Sequence, residues 1–328
     1  MDAVELGERL GVEDLPPRLD RVDLRVAEVL RVDDPHHRDA LTRVAHAGGK
    51  RLRPALAVAC AEMLGTWDDA VVDVAAAVEL VQIGSLVHDD IIDAAETRRG
   101  TPTINAVEGD AVAIVAGDLV LARAGELAAG VSGPAGSLVG ATVARLCEGQ
   151  FAEMADLHDA DRPVERHLRS VSDNTAALFE SSCRLGAMCA GADERIVESL
   201  GHFGHAFGMA FQLLDDLLDL VGDPERLGKP VSVDIAAGVY TLPVLHALAS
   251  PDGDHLRKLL AEDPVRARAH VLDAGGAEMA VRTMSGYAEQ ASAALAGVHR
   301  VTRAGASLEA LAAFPGDYLG WALDRFRA

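Results

Sequence analysis

Apolar residues recur three and four positions apart through most of the chain, first over Leu19 to Val32, then from Asp39 to Ala47, and onward to the last residues. That spacing lays an apolar stripe along one helix face, because residues three and four apart are stacked there. Strand-like alternation is nowhere sustained, so the pattern predicts an all-α protein. Breaks are expected where turn formers or charges gather: Gly48-Gly49, Ala94 to Pro102, Gly130 to Gly136, Asp156 to Pro163, Gly222 to Asp234, Ser250 to Asp254 and Gly305. They divide the chain into roughly a dozen helices. No Gly/Ser-rich or Pro-rich stretch is long enough to separate domains, and no repeat has a solenoid period.

Composition supports the helical reading. Ala, Leu and Val dominate and aromatic residues make up only 4%, a mixture suited to close helix contact. Apolar runs are cut by charges such as Asp110, Asp118 and Arg123, so no membrane-spanning helix is expected. The formal charge of −21 argues against nucleic acid or an anionic membrane as partner. An anionic substrate must then be held by local cations. Cys60, Cys147, Cys183 and Cys189 show no metal-type spacing and are expected to be reduced core thiols of a cytoplasmic protein.

Two acidic segments stand out. Leu86-Val87-His88-Asp89-Asp90-Ile91-Ile92-Asp93 and Leu213-Leu214-Asp215-Asp216-Leu217-Leu218-Asp219 both contain DDxxD. On a helix the first and fifth residues lie one turn apart with the second beside them, so each triplet gathers carboxylates. Of the four Asp-Asp pairs in the chain, only these two carry the third Asp among Leu, Ile and Val. Carboxylates held among apolar neighbours require a compensating cation. Magnesium fits, because it takes hard oxygen ligands and completes its shell with water and phosphate oxygens. Two such faces across a cavity would grip a diphosphate through bridging metals.

Basic residues follow nearby. Arg98-Arg99-Gly100 comes just after the first acidic cluster, and paired guanidiniums bind diphosphate oxygens bidentately. Gly49-Lys50-Arg51-Leu52-Arg53-Pro54 opens another helix, where backbone N–H groups and cations converge on an anion site. HExxH, GxSxG and zinc-type cysteine pairs are absent from the sequence. Gly222 to Lys229 fails as a P-loop, because five residues separate its glycines and Pro230 replaces the Ser/Thr. His88 is read as a hydrogen-bonded neighbour of the acidic face, not a metal ligand.

Taken in order, these segments resemble the trans-isoprenyl diphosphate synthase (polyprenyl synthetase) family. The matching stretches are Gly49 to Pro54, Leu86 to Gly100, Glu148-Gly149-Gln150, Phe211 to Pro230 and Thr241-Leu242-Pro243. The resemblance implies one domain over residues 1–328, a bundle of mostly antiparallel helices around a cavity, and a homodimer. It also implies three magnesium ions per loaded active site. Carried over by position, Asp89, Asp93, Asp215 and Asp219 hold magnesium, with Asp90 and Asp216 assisting. Lys50, Arg53, Arg99 and Gln82 meet isopentenyl diphosphate, while Arg98, Thr175, Gln212 and Lys229 face the allylic diphosphate. The implied reaction is ionisation, addition and proton loss, with the Asp faces, Arg98 and Lys229 carrying the catalysis.

The sequence departs from the family pattern at two places. Asn174 precedes Thr175 where relatives have Lys, and Val239 stands for a second Lys in Gly238 to Pro243. Product length is argued from the helix before Asp89, where residue 84 lies about 7.5 Å deeper. Gly84 and Ser85 are both small, so an open shaft and a medium-to-long-chain product are expected, unless Phe151 closes it. A short-chain farnesyl or geranylgeranyl synthase, a catalytically silent subunit of a hetero-oligomeric synthase and a class I terpene cyclase remain the alternatives.

Overall fold

The computed structural model describes residues 1–33, 38, 40–42, 49–98, 100–227, 231–300 and 305–326. The predicted helix from Asp39 to Ala47 therefore lies largely outside the described residues, as do Arg99 and Lys229. The chain forms two compact units. The first comprises Met1–Ala144, Leu178–Gly204 and Gly297–Leu311, the second Arg145–Ala177, His205–Ala296 and Ala312–Ala328.

The first unit opens with α1 (Ala3–Leu10) and α2 (Leu15–Val29), followed by α3 (Leu52–Met63) and α4 (Asp69–Ile92). Helix α4 starts where the Asp68 side chain accepts the Val71 amide at 3.1 Å, the usual way a helix start satisfies an orphan donor. Its run Val71, Val74, Ala75, Ala76, Ala77, Val78, Leu80 is fully enclosed. By length and apolar content α4 passes for a membrane span, yet 72% of its apolar window is buried inside the protein. It is a core helix, packed on α2, α3 and α6 (Asp110–Val131).

Helix α4 ends at Asp93, and Ala94 then takes a left-handed conformation, φ 49°. The expected break from Ala94 to Pro102 is present, but it holds a small hairpin of β1 (Thr97–Arg98) and β2 (Thr101–Pro102). Gly100, at φ 76°, supplies the turn. Two residues per strand are too few for alternation to reveal. Thr103 donates to the Ala95 carbonyl at 2.7 Å, and Asn105, in α5 (Ile104–Glu108), donates to the same carbonyl at 3.1 Å. These bonds fasten the hairpin to the end of α4.

The break expected at Gly130 to Gly136 narrows to Ser132, between α6 and α7 (Gly133–Ala155). Pro134 falls in the first turn of α7, where its missing N–H costs nothing. Next along the chain come α8 (Val164–Val171) and one π-turn (Ser172–Ala176) of the second unit, α9 (Ala177–Cys189), which from Leu178 onward belongs to the first unit, and α10 (Glu194–Val221), which passes from the first unit to the second at His205. Short helices α11 (Pro224–Leu227) and α12 (Val233–Ala237) occupy the segment read as a single break. Helices of four or five residues escape a periodicity window of about 11–18 residues, which is why the expected dozen undercounts them. Then come α13 (Leu242–Leu248), α14 (Gly253–Glu262), α15 (Pro264–Asp273), α16 (Gly276–Ala294) and α17 (Gly305–Phe326). Leu220, Ile235, Tyr240, Val244, Leu256 and Val271 share one buried cluster of this unit.

Cys60 and Cys183 are buried core thiols as expected, and Cys183 is pushed well up by burial and by its hydrogen bond to Cys60. Cys147 is exposed and Cys189 half-buried. The core reading fails for Cys147 because α7 turns that face to solvent.

Candidate active site

The first acidic face sits on the last turn of α4. Asp89 is half-buried, Asp93 exposed and Asp90 only 6% exposed. The hairpin places Arg98 Nε 2.7 Å from Asp90 Oδ1. Arg98 therefore anchors the middle carboxylate, a use that its expected role toward a diphosphate does not include. Burial raises the carboxyls of both Asp90 and Asp93, with Arg98 pulling in the opposite direction. His88 donates through Nε2 to the Ile114 carbonyl at 3.3 Å and lies against Gly117, the neighbour role read from sequence.

The Lys50 loop precedes α3 in the same unit. Arg51 adopts a left-handed conformation, φ 51°, and is held by ion pairs to Asp23 at 3.0 Å and to buried Glu79 of α4. Lys50 is exposed beside it, and the Arg53 guanidinium lies 4.3 Å over the Phe179 ring, a favourable cation–π arrangement. Gln82 is half-buried on α4, three residues after Glu79. Ser85 turns its hydroxyl back to the Gln82 carbonyl at 3.0 Å.

At Gly84 the expected open space is filled. A Cβ there would lie 2.8 Å from Leu121 Cγ and 2.9 Å from its Cδ2. The small residue lets α6 approach α4, and the Leu121 side chain takes the room. Phe151, the other residue considered as a plug, is 73% exposed.

The second acidic face occupies α10. Asp215 is exposed, while Asp216 and Asp219 are each 6% exposed. Gln212 donates to Asp216 Oδ1 at 2.8 Å and accepts from the Thr175 hydroxyl at 2.9 Å. The structure thus joins three residues singled out separately in the sequence. Asp216 Oδ2 is buried without a hydrogen-bond partner. Asp219 accepts the Val233 amide through Oδ1 at 3.2 Å and the Asp234 amide through Oδ2 at 3.3 Å. It caps α12, a role its place in the DDxxD spacing does not disclose.

Both faces share one plan: the middle carboxylate is buried and tied, and the first stands nearer water. Among the described residues no three His, Cys, Asp or Glu side chains form a preformed metal cage. The donors are all hard oxygens, and the raised Asp90 and Asp93 carboxyls fit a divalent cation.

Residues 34–274 match the family model for polyprenyl synthetase. The chain belongs to the polyprenyl synthetase family. Heptaprenyl diphosphate synthase component 2 of Bacillus subtilis is 36% identical over 307 residues, spanning 91% of this chain and 87% of the relative. Nonaprenyl diphosphate synthase of Mycobacterium tuberculosis is 36% identical over 274 residues, 83% of this chain and 82% of the relative. The crystal structure of a decaprenyl diphosphate synthase from Rhodobacter capsulatus superposes with a TM-score of 0.85 at 26% identity, covering 99% of each chain.

Within this polyprenyl synthetase, the departure at Asn174 falls in the π-turn. Asn174 Nδ2 donates to Gln150 Oε1 at 3.0 Å and to Glu153 Oε2 at 3.2 Å. Gly149 makes this approach feasible, since a Cβ there would lie 2.7 Å from the Asn174 amide nitrogen. Val239 is half-buried, and its amide donates to the Asp234 carbonyl at 2.8 Å. Sequence reading missed Asp23, Glu79 and Leu121, whose roles depend on distant neighbours. It also missed Asp156, Arg162 and His167, a chain of polar contacts that reaches Asp216 through His167.

Proposed function

We propose that this chain joins isopentenyl diphosphate to an allylic prenyl diphosphate head to tail, giving a medium-to-long-chain polyprenyl diphosphate. The observation that carries the reading is the repeated plan of the two acidic faces, each with a tied middle carboxylate and a more accessible first one. Family membership and the names of the heptaprenyl and nonaprenyl relatives support it.

Asp89 and Asp93 on α4 and Asp215 on α10 would hold magnesium, with Asp90 and Asp216 fixing their helix ends. Bound there, magnesium would neutralise charge gathering on the departing diphosphate. Lys50, Arg53 and Gln82 orient isopentenyl diphosphate, and Thr175 and Gln212 orient the allylic one. Arg99 and Lys229 keep the roles implied by family position. Arg98 serves through Asp90. The protein's contribution is positioning and fixed charge, with apolar walls keeping water from the allylic cation. A homodimer is the proposed assembly.

The relative named as component 2 of a heptaprenyl synthase favours a second reading, in which the chain works with a different subunit. One assay separates them. The purified chain is incubated with magnesium, isopentenyl diphosphate and each C5 to C20 allylic diphosphate, with a chelator control. Chelator-sensitive prenyl diphosphates made by the chain alone, eluting as a dimer, are expected; silence with every starter favours the two-subunit reading.

Product length is assigned to Leu121 over Gly84. Leu121→Ala is expected to lengthen the product by at least one five-carbon unit, read by mass after dephosphorylation. An unchanged distribution removes Leu121 from the chain-length determinants.

A further inference from the structure

Behind the second acidic face lies a buried polar chain that the reaction does not yet use. Asp156, at the end of α7, has a fully buried side chain, paired with Arg166 at 2.6 Å and Arg162 at 3.5 Å. Arg162, 6% exposed, donates through Nη2 to the Tyr240 carbonyl at 2.6 Å and stands 3.0 Å from His167 Nδ1. His167 on α8, 4% exposed, turns Nε2 toward Asp216 Oδ2 at 3.6 Å. Neither that nitrogen nor that oxygen has a hydrogen-bond partner within 3.5 Å, so each is the nearest group able to serve the other.

The chemistry of the pair at 3.0 Å fixes the imidazole. A guanidinium has only donors, so Nδ1 must be the acceptor and Nε2 must carry the proton. An Nδ1 that accepts from Arg162 carries no hydrogen, so the ring has one N–H, on Nε2. That N–H points at Asp216 Oδ2, a buried carboxylate oxygen with no hydrogen-bond partner.

We propose that His167 is a positioning residue: locked by Arg162 in its Nε2–H form, it holds Asp216 and, through Asp216, the Gln212 and Thr175 side chains. Gln212 has its NH₂ committed to Asp216 and its oxygen to Thr175, so a turn of the Asp216 carboxylate would release the amide to flip. The ring itself touches no substrate. Its effect on turnover rests on the synthase reading above, whereas its tautomer does not.

The test has two arms on the full chain. In the kinetic arm, His167→Phe keeps the ring volume and removes both nitrogens, and His167→Gln restores a donor. Loss of an orienting partner is expected to lower kcat/KM for the allylic diphosphate by roughly 10- to 100-fold, leaving KM for isopentenyl diphosphate unchanged, with His167→Gln recovering most of the loss. Equal activity of His167→Phe and the native chain overturns the proposal, as does a Gln variant as impaired as the Phe one. In the second arm, two-bond ¹H–¹⁵N spectra of histidine-labelled protein, with His167 assigned by its absence in His167→Gln, are expected to show Nε2 protonated and Nδ1 bare. A proton on Nδ1 overturns the proposal. If the native chain makes no prenyl diphosphate, the synthase reading fails and the spectrum alone decides the role of His167.

Discussion

Asp89→Ala is expected to lower kcat by roughly 10²–10³-fold, the usual loss when one element of transition-state charge stabilisation is removed, while leaving the melting temperature unchanged or slightly raised. The two effects separate because Asp89 is only half-buried and stands beside Asp90 and one turn from Asp93, two further carboxylates. Asp90→Ala should behave differently. Its carboxylate is the buried partner of Arg98, and deleting it leaves a guanidinium without that carboxylate and removes one of the ties between the hairpin and α4. A lower melting temperature accompanies the loss of activity there. Steady-state kinetics and thermal melts on the two variants check the contrast. Near-native turnover in Asp89→Ala would remove the first acidic face from the chemistry.

Gly186→Ala is the second large effect, and it acts on stability. An added Cβ would overlap the Ala57 carbonyl oxygen, lie 3.0 Å from the Ala57 carbonyl carbon and 3.1 Å from Cys60 Cβ. Backbone atoms cannot turn aside as a side-chain tip can, so α3 and α9 must part. Overpacking of this kind costs about 1–3 kcal/mol, and a drop in melting temperature of roughly 5 °C is expected. Gly125 in α6 has nothing within 4 Å of such a Cβ. Gly125→Ala should therefore stabilise by about 0.5–1 kcal/mol, the difference in helix preference. Opposite signs in calorimetry support the close α3–α9 approach; equal signs contradict it.

The helices and both acidic faces were legible because they depend on spacing along the chain. An i, i+4 pair shares a helix face wherever the helix packs, and apolar stripes repeat over many turns. What escaped depends on neighbours far apart in sequence. Arg98 reads as a substrate cation until the hairpin folds it back onto Asp90. Gly84 reads as vacant space until α6 brings Leu121 over it. Asp219 reads as the third member of a metal triplet until residues 232–234 return to use its oxygens. His167 carries no motif at all, and only its distances to Arg162 and Asp216 give it meaning. Arg51 likewise looks like one cation among three, although Asp23 and Glu79 tie it into the fold.

The π-turn at Ser172–Ala176 has a further consequence for how this chain can change through mutation. A π-turn carries one residue more than the α-helix it interrupts, so a single-codon deletion inside it would leave an ordinary helix with full hydrogen bonding. Such a deletion looks harmless locally. It would nevertheless rotate everything beyond it by about 100° relative to α8, the angle of one helical residue, carrying Thr175 away from Gln212 and turning Phe179 from Arg53. The extra residue thus acts as a phase setting for two groups of side chains. Lineages can substitute within this segment, but they cannot shorten it without resetting both.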